Sequence, residues 1–546
     1  MNINRLEILA MGQIKRKVLT MTFTCITLAA ILTGASCNFS GNQGSNHNGG
    51  GDSASASTIP PNRLIMRGSS DSTIQDDSMV VSENLGISGQ KDEMRAEDGN
   101  KRANSVNIKD YGAKGDGETN DTKAFVAAID FIKKSSVEGM ALEIPEGEYP
   151  ISAKIAVNNI KLVGTGTIIP VSGEREFTII LQGNNNVVQG LRFFEKTGVT
   201  NLLTIDGSNN QIINCVFDGN SRSTSSKIVY SDRMLYLADN EGVGNIIKGC
   251  KINNGRIGVG LAGSYKLLGS EISNCIMGVW ARPSTRNSEI ANNIIRDNNV
   301  NNKSGADGIL AQRNVSNLHI HGNKIYNSGE HGIYFQGDNS VIENNEVFNN
   351  HGSGIKLASY TTQLYNYDNK QESYIGHDNI IQFNKCYGNS MAASSSTGAG
   401  IYLQAPLRDI TVSNNTCYDN LHGIRSTSVS RLKPEELDTK GVLKNMTFSN
   451  NKLVGNKDMS LFVEGETGIV ITGNTVDNIM TSSKSAKHRL KKPIIRGNEV
   501  RGTLVVNRVE GGVIEDNTIN DLNVNSNSIK SKHKLSNNKV TKSNLD

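Results

Sequence analysis

The stretch "SGEHGIYFQ", residues 328 to 336, brings His331, Tyr334 and Gln336 close together. An imidazole and a phenol can move protons, and an amide can hold a hydroxyl or a carboxylate. Related phrases recur along the chain: "GVGLA", "GVWAR", "GILAQR", "GIYFQ", "GIKLA", "GIYLQ" and "GIRST". Each starts with Gly, followed by Val or Ile. If each is a strand, the Val or Ile faces a core and the next residue faces out. The outward stripe then reads Gly260, Trp280, Leu310, Tyr334, Lys356, Tyr402 and Arg425. Two positions further on, the same face carries Arg282, Gln312, Gln336 and Gln404, while the residue before Gly adds Asp307, His331 and His422.

Such a face suits an extended carbohydrate. Aromatic rings stack on sugar rings, and Gln, Lys and Arg hydrogen-bond hydroxyls and carboxylates. Trp280, Arg282, Gln312, Gln336, Tyr402, Gln404 and Arg425 form the predicted binding set. His331, Tyr334, Lys356 and Asp307 form the predicted catalytic set. Lys356 would offset charge on a uronate carboxylate, and His331, Tyr334 or Tyr402 would remove the C5 proton. Asp307 would orient His331 or hold a calcium ion. Loss of the proton leads to β-elimination; its return from the other side gives a C5 epimer. Glycoside hydrolysis needs two spaced carboxyl groups, and the stripe supplies one. No C-x-x-C pair or His cluster signals a metal centre, which leaves calcium as the only cofactor under consideration.

These residues must be positioned by a repeat. "IANNIIRDN", "IHGNKIYNSGEHGIYF", "IENNEVFNNHGSGIKL", "VSNNTCYDNLHGIRS", "FSNNKLVGN", "ITGNTVDN", "IRGNEV" and "IEDNTI" share an apolar residue, an Asn, and an apolar residue two further on. Asn293, Asn323, Asn345, Asn384, Asn415, Asn451, Asn474, Asn498 and Asn517 hold the equivalent place. Turns of this length predict three short strands and three bends each, stacked in parallel about 4.8 Å apart. The Asn side chains would stack inside a bend, satisfy buried backbone groups and take the left-handed backbone the bend needs.

"DYGAKGDGETNDTKAFVAAID" followed by "LEIPEGEYPI" is similar to the N-terminal signature of the pectate-lyase-like superfamily. That family includes rhamnogalacturonases, polygalacturonases, epimerase-like proteins and phage tailspikes. The resemblance implies an all-β fold, a right-handed parallel β-helix over residues 105–546. A short helix carrying Phe125, Ile129 and Ile132 on one face would cap its first turn, with Asp121 or Thr122 capping the helix itself. The chain departs from the family's reaction motifs. "ADG" at 306–308 and "EHG" at 330–332 only echo those of polygalacturonases, and the Asp-Pro-His of mannuronan epimerases is absent, so no residue role carries over.

Ahead of this body, Lys15, Arg16 and Lys17 precede the apolar run "VLTMTFTCITLAAILTG" and "ASC". The pattern resembles a bacterial lipoprotein signal over residues 1–36, starting at Met1 or Met11, with lipid attached to Cys37. Residues 37–104, rich in Ser, Gly and Asn, read as a disordered tether. The tail "SNSIKSKHKLSNNKVTKSNLD" reads as a fraying end. Cys215, Cys250, Cys275, Cys386 and Cys417 fall within repeats and read as small buried hydrophobes. The net charge of +4 is spread along the chain and makes no case for nucleic acid. The sequence therefore predicts an extracytoplasmic, membrane-anchored β-helix protein acting on acidic polysaccharide as lyase or C5-epimerase. Its rivals are a non-catalytic glycan-binding or structural surface module and a polygalacturonase-like hydrolase.

Overall fold

The computed structural model describes residues 104–544, except 136, 138, 199–200, 221–232, 239–240, 284, 299–304, 360–375, 391–397, 428–442, 484–488 and 526–527. The expectations for residues 1–103, including the signal, the tether and Cys37, lie outside the described residues.

From Ser105 to Ser543 the chain winds as a parallel β-solenoid. Ile257–Leu261, Tyr265–Leu268 and Glu271–Ser273 make one coil. They pair in parallel with Met277–Ala281, Arg286–Ala291 and Ile294–Arg296 of the next. Each coil contributes short apolar residues to one continuous interior. Ile272, Ile295, Ile325, Val347, Cys386 and Cys417 are successive layers of it.

A column of amides closes one bend. Asn293, Asn323, Asn345, Asn384, Asn415, Asn451, Asn474, Asn498, Asn517 and Asn538 follow one another, each backbone N–H donating to the next side-chain oxygen at 2.9–3.1 Å. The Asn345 amide also donates to the Ile320 carbonyl one coil below, at 2.9 Å. The left-handed residue, however, is the one before each ladder Asn. Asn292, Asn344, Asn414 and Asn450 have φ of 53–57°, and Gly322, Gly473 and Gly497 serve elsewhere. The repeated "NN" and "GN" pairs thus divide two tasks: the first residue turns the chain and the second satisfies it.

A second amide column, Asn350, Asn389, Asn420 and Asn456, explains the Gly before each outward strand. A β-carbon on Gly332, Gly354, Gly400 or Gly423 would lie 2.8–2.9 Å from a ladder Nδ2. Gly points inward there, so the chain bends and strict alternation fails at that position.

The helix α1 (Thr122–Lys134) covers the first coil with Phe125, Ile129 and Ile132 buried. Asp121 occupies its N-cap position but caps nothing. Its carboxylate accepts instead from the Lys114 and Gly115 amides at 2.7 and 3.0 Å, fixing the "AKGDG" loop. Thr122 accepts from the Ser152 amide at 3.1 Å and ties the helix to the coil. The tail does not fray: Ile529–Ser536 and Lys539–Ser543 add strands, because Asn538 extends the ladder and Val540 packs on the core.

Candidate functional site

The outward stripe is assembled in the order read from sequence. Gly260, Trp280, Leu310, Tyr334, Lys356, Tyr402 and Arg425 are successive partners on neighbouring coils. Tyr236 continues it below and Phe462 above. Facing out of the coil does not mean facing water. Trp280 is 9% exposed, Tyr402 4%, and Gln336 and His331 are buried too. Ile257, Met277, Trp280 and Leu310 form an apolar cluster of their own outside the coil, with Tyr334 against it. The Trp280 indole N–H donates to Gln312 at 3.0 Å, and the Tyr402 hydroxyl shares a hydrogen bond with Thr427 at 2.8 Å. These two rings are engaged by the protein, which corrects their role as open stacking platforms. Lys356, Tyr334, Gln312, Gln404, Arg282 and Arg425 remain partly accessible.

Lys356 is the centre of the arrangement. Its Nζ lies 4.5 Å from the Tyr334 ring centroid and 5.9 Å from that of Tyr402. Burial lowers its pKa, opposed by the negative fields of Glu330 and Asp307. His331 stands edge-on to Tyr334, with ring centroids 5.4 Å apart. The Tyr334 hydroxyl accepts from Gln336 at 2.9 Å.

Asp307 and His331 are neighbours on adjacent coils, but the contact differs from the one expected. The Asp307 carboxylate accepts from the His331 backbone N–H at 3.0 Å, not from its ring. The ring's Nδ1 accepts from the Ser353 N–H at 2.9 Å, which puts the ring proton on Nε2. That atom is buried, has no hydrogen-bond partner and faces a Glu330 oxygen at 3.6 Å. In this tautomer His331 offers a proton and has no free lone pair, so it is not set as a base. Burial, then the Lys356 charge, lowers its pKa well below the usual imidazole value. Burial and the charge of Glu330 raise Asp307 well above the usual carboxyl range.

Glu330 is a site residue that the stripe left out. It lies ahead of the bend at Gly332, where the stripe was not extended; its place beside His331 in "GEHG" was the available signal. A second group lies two coils past Lys356. Arg425 meets Nε2 of His422 at 2.8 Å, with Asp458 at 3.6 Å from Nδ1. Among the described residues no three His, Cys, Asp or Glu side chains gather as a metal cage.

Two family models match overlapping stretches. Residues 105–279 match rhamnogalacturonase A/epimerase, pectate lyase-like, and residues 235–370 match the right-handed β-helix region. Over residues 105–370 the chain is thus similar to pectate-lyase-like, right-handed β-helix proteins, in agreement with the parallel solenoid. An alginate lyase of Azotobacter vinelandii is 39% identical over 118 residues, 19% of this chain and 12% of the lyase. A mannuronan C5-epimerase of the same bacterium is 25% identical over 291 residues, 50% of this chain and 13% of the epimerase. The chain thus spans only a small part of these relatives. The A-module of another Azotobacter vinelandii mannuronan C5-epimerase superposes with a TM-score of 0.41 at 14% identity, covering 80% of this chain and 99% of that module.

Proposed function

We propose that the chain acts on an acidic polysaccharide, removing the C5 proton of a uronate unit as a lyase or C5-epimerase. The observation that carries this reading is Lys356, held between two phenol rings, one coil from His331 and Glu330 and two from Asp307. Its ammonium offsets the negative charge that spreads onto the uronate carboxylate as the C5 proton leaves. Tyr334, Nε2 of His331 and Glu330 are the proton-carrying groups nearest to it. Glu330 or Tyr334 takes the C5 proton, because Nε2–H of His331 is a donor in this tautomer and can only give one. In elimination another protonates the departing C4 oxygen; in epimerisation a proton returns to C5 from the opposite face. The alginate lyase and the mannuronan epimerases among its relatives support this substrate class. The lipoprotein-like residues before Cys37 support export and anchoring through an acylated Cys37.

The Asp307 and Glu330 carboxyls, both beside His331, favour a second reading, hydrolysis by a pair of carboxyl groups. One experiment separates the readings. The protein is incubated with polymannuronate, polyguluronate and polygalacturonate, and with Lys356→Met as control. Ultraviolet absorbance of a C4–C5 double bond indicates a lyase, altered NMR anomeric signals without cleavage an epimerase, and new saturated reducing ends a hydrolase. Lys356→Met is expected to lower turnover at least a hundredfold, about 3 kcal/mol of transition-state stabilisation. Glycan binding without turnover would leave a binding module in place of an enzyme.

A further inference from the structure

The column of strands that holds Tyr265–Leu268 and Arg286–Ala291 also holds residues 316–321, and it carries a second cluster of titratable groups. In "LHIHG", His319 and His321 flank Ile320, which is buried in the interior, so both imidazoles leave the coil on one side. Their ring centroids lie 4.0 Å apart, with the planes tilted by 31°. Glu289 is the register partner of His319 on the coil below, and Glu343 that of His321 on the coil above. The side chains pair across these columns instead. His321 Nε2 meets a Glu289 oxygen at 3.0 Å, and His319 Nε2 meets a Glu343 oxygen at 2.9 Å. The crossed diagonals bring the two rings together.

An ionised carboxylate only accepts, so Nε2 carries the proton in both rings and the lone pair of each neutral ring sits on Nδ1. Among the described residues neither Nδ1 has a hydrogen-bond partner. The other oxygen of each carboxylate is taken too: that of Glu289 by the Lys266 ammonium at 2.9 Å, that of Glu343 by the Gln382 amide at 2.6 Å. The carboxylates are thus fixed at both oxygens and aim the rings, while each ring keeps one free nitrogen. Metal-bound imidazoles carry the same carboxylate behind them. The His319 and His321 side chains are 42% and 26% exposed, so an ion can arrive without any opening of the coil.

We propose that His319 and His321 form a chelating site for a first-row transition-metal dication, bound through Nδ1 of both rings. Imidazole suits Cu2+, Ni2+ and Zn2+, with Cu2+ the tightest in the general order of these ions, whereas Ca2+ and Mg2+ prefer oxygen. The chain supplies two ligands and water the rest; no third His, Cys, Asp or Glu among the described residues joins them as a ligand set. Glu289, the His pair and Glu343 come from three successive coils, so a bound ion would brace the solenoid through the two carboxylates behind its ligands. Lys356 faces out from a different column of strands, and the site is independent of the reaction proposed above.

Calorimetric titration of the untagged full chain with Cu2+, in mildly alkaline buffer free of amines and chelators, tests this. The parent is expected to bind one more equivalent of Cu2+ than His319→Asn or His321→Asn. Electron paramagnetic resonance should show two nitrogen ligands on that added ion. Ni2+ and Zn2+ should bind the same position more weakly, and Ca2+ should not compete. Glu289→Gln keeps both rings but removes the charge behind His321, and is expected to weaken Cu2+ about tenfold or more. If an Asn variant fails to fold by circular dichroism, the parent alone decides: Cu2+ should shield the peptide holding His319 and His321 from diethyl pyrocarbonate, as read by mass spectrometry. Equal stoichiometry in parent and folded variants, displacement of Cu2+ by Ca2+, or equal modification with and without Cu2+ would overturn the site and leave the four groups as an ionic brace between coils.

Discussion

Two buried titratable groups at the centre of the site pull in opposite directions. His331 is neutral in the fold with a lowered pKa. As pH falls through about 6.5, the unfolded chain binds a proton that the native ring refuses, so acid removes stability. Asp307 has a raised pKa. As pH climbs past about 4, the unfolded chain releases a proton that the native carboxyl keeps, so Asp307 costs stability above that pH. Asp307→Asn still offers an oxygen to the His331 amide. It is expected to stabilise the protein near neutrality by on the order of 1 kcal/mol, with the gain vanishing near pH 4. Urea unfolding at the two pH values measures this. A variant less stable near neutrality would mean that the native carboxyl is ionised and anchored by Lys356.

At the scale of the coil, stability depends on pairing a left-handed residue with an inward amide. One coil breaks the first half of that rule. Phe383 precedes ladder residue Asn384 with φ of 55°, yet it is a bulky residue and 51% exposed. Its ring gains little from burial, while its β-carbon strains the backbone. Phe383→Asn, which copies the neighbouring Asn344 and Asn414, is expected to raise stability by about 1 kcal/mol. Thermal melting would register it as a rise of a few degrees or less. A fall would show that Phe383 packs against something that its exposure conceals.

Over the whole molecule the five described cysteines are layers of the interior. Burial pushes Cys275 up to about 12 and Cys417 well above the ordinary thiol value. The intact native protein should leave all five unmodified by iodoacetamide, and denaturant should expose every one, as peptide mass spectrometry would report. Labelling of a single native cysteine would locate a coil that opens. The register of the stripe was legible because each "G-I/V" phrase marks a fixed point in the coil. That mark carried Trp280 onto Tyr334 and Lys356 without any knowledge of loop length. Burial on the outer face was not legible, because neighbouring coils lend side chains such as Gln312 and Thr427 to cover Trp280 and Tyr402. Glu330 and Tyr236 escaped for local reasons: one lies ahead of the bend, where the stripe was not extended, and the other lies in "MLYLA", which has no leading Gly.

Asn323 and Asn345 are adjacent in the amide column and 22 residues apart, whereas Asn345 and Asn384 are equally adjacent and 39 apart. The scaffold therefore measures contour by height and ignores how much polypeptide is spooled between floors. A foreign peptide spliced at the longer connection would ride on the side of an undisturbed column. The flank can accordingly change its outline while the interior stays fixed.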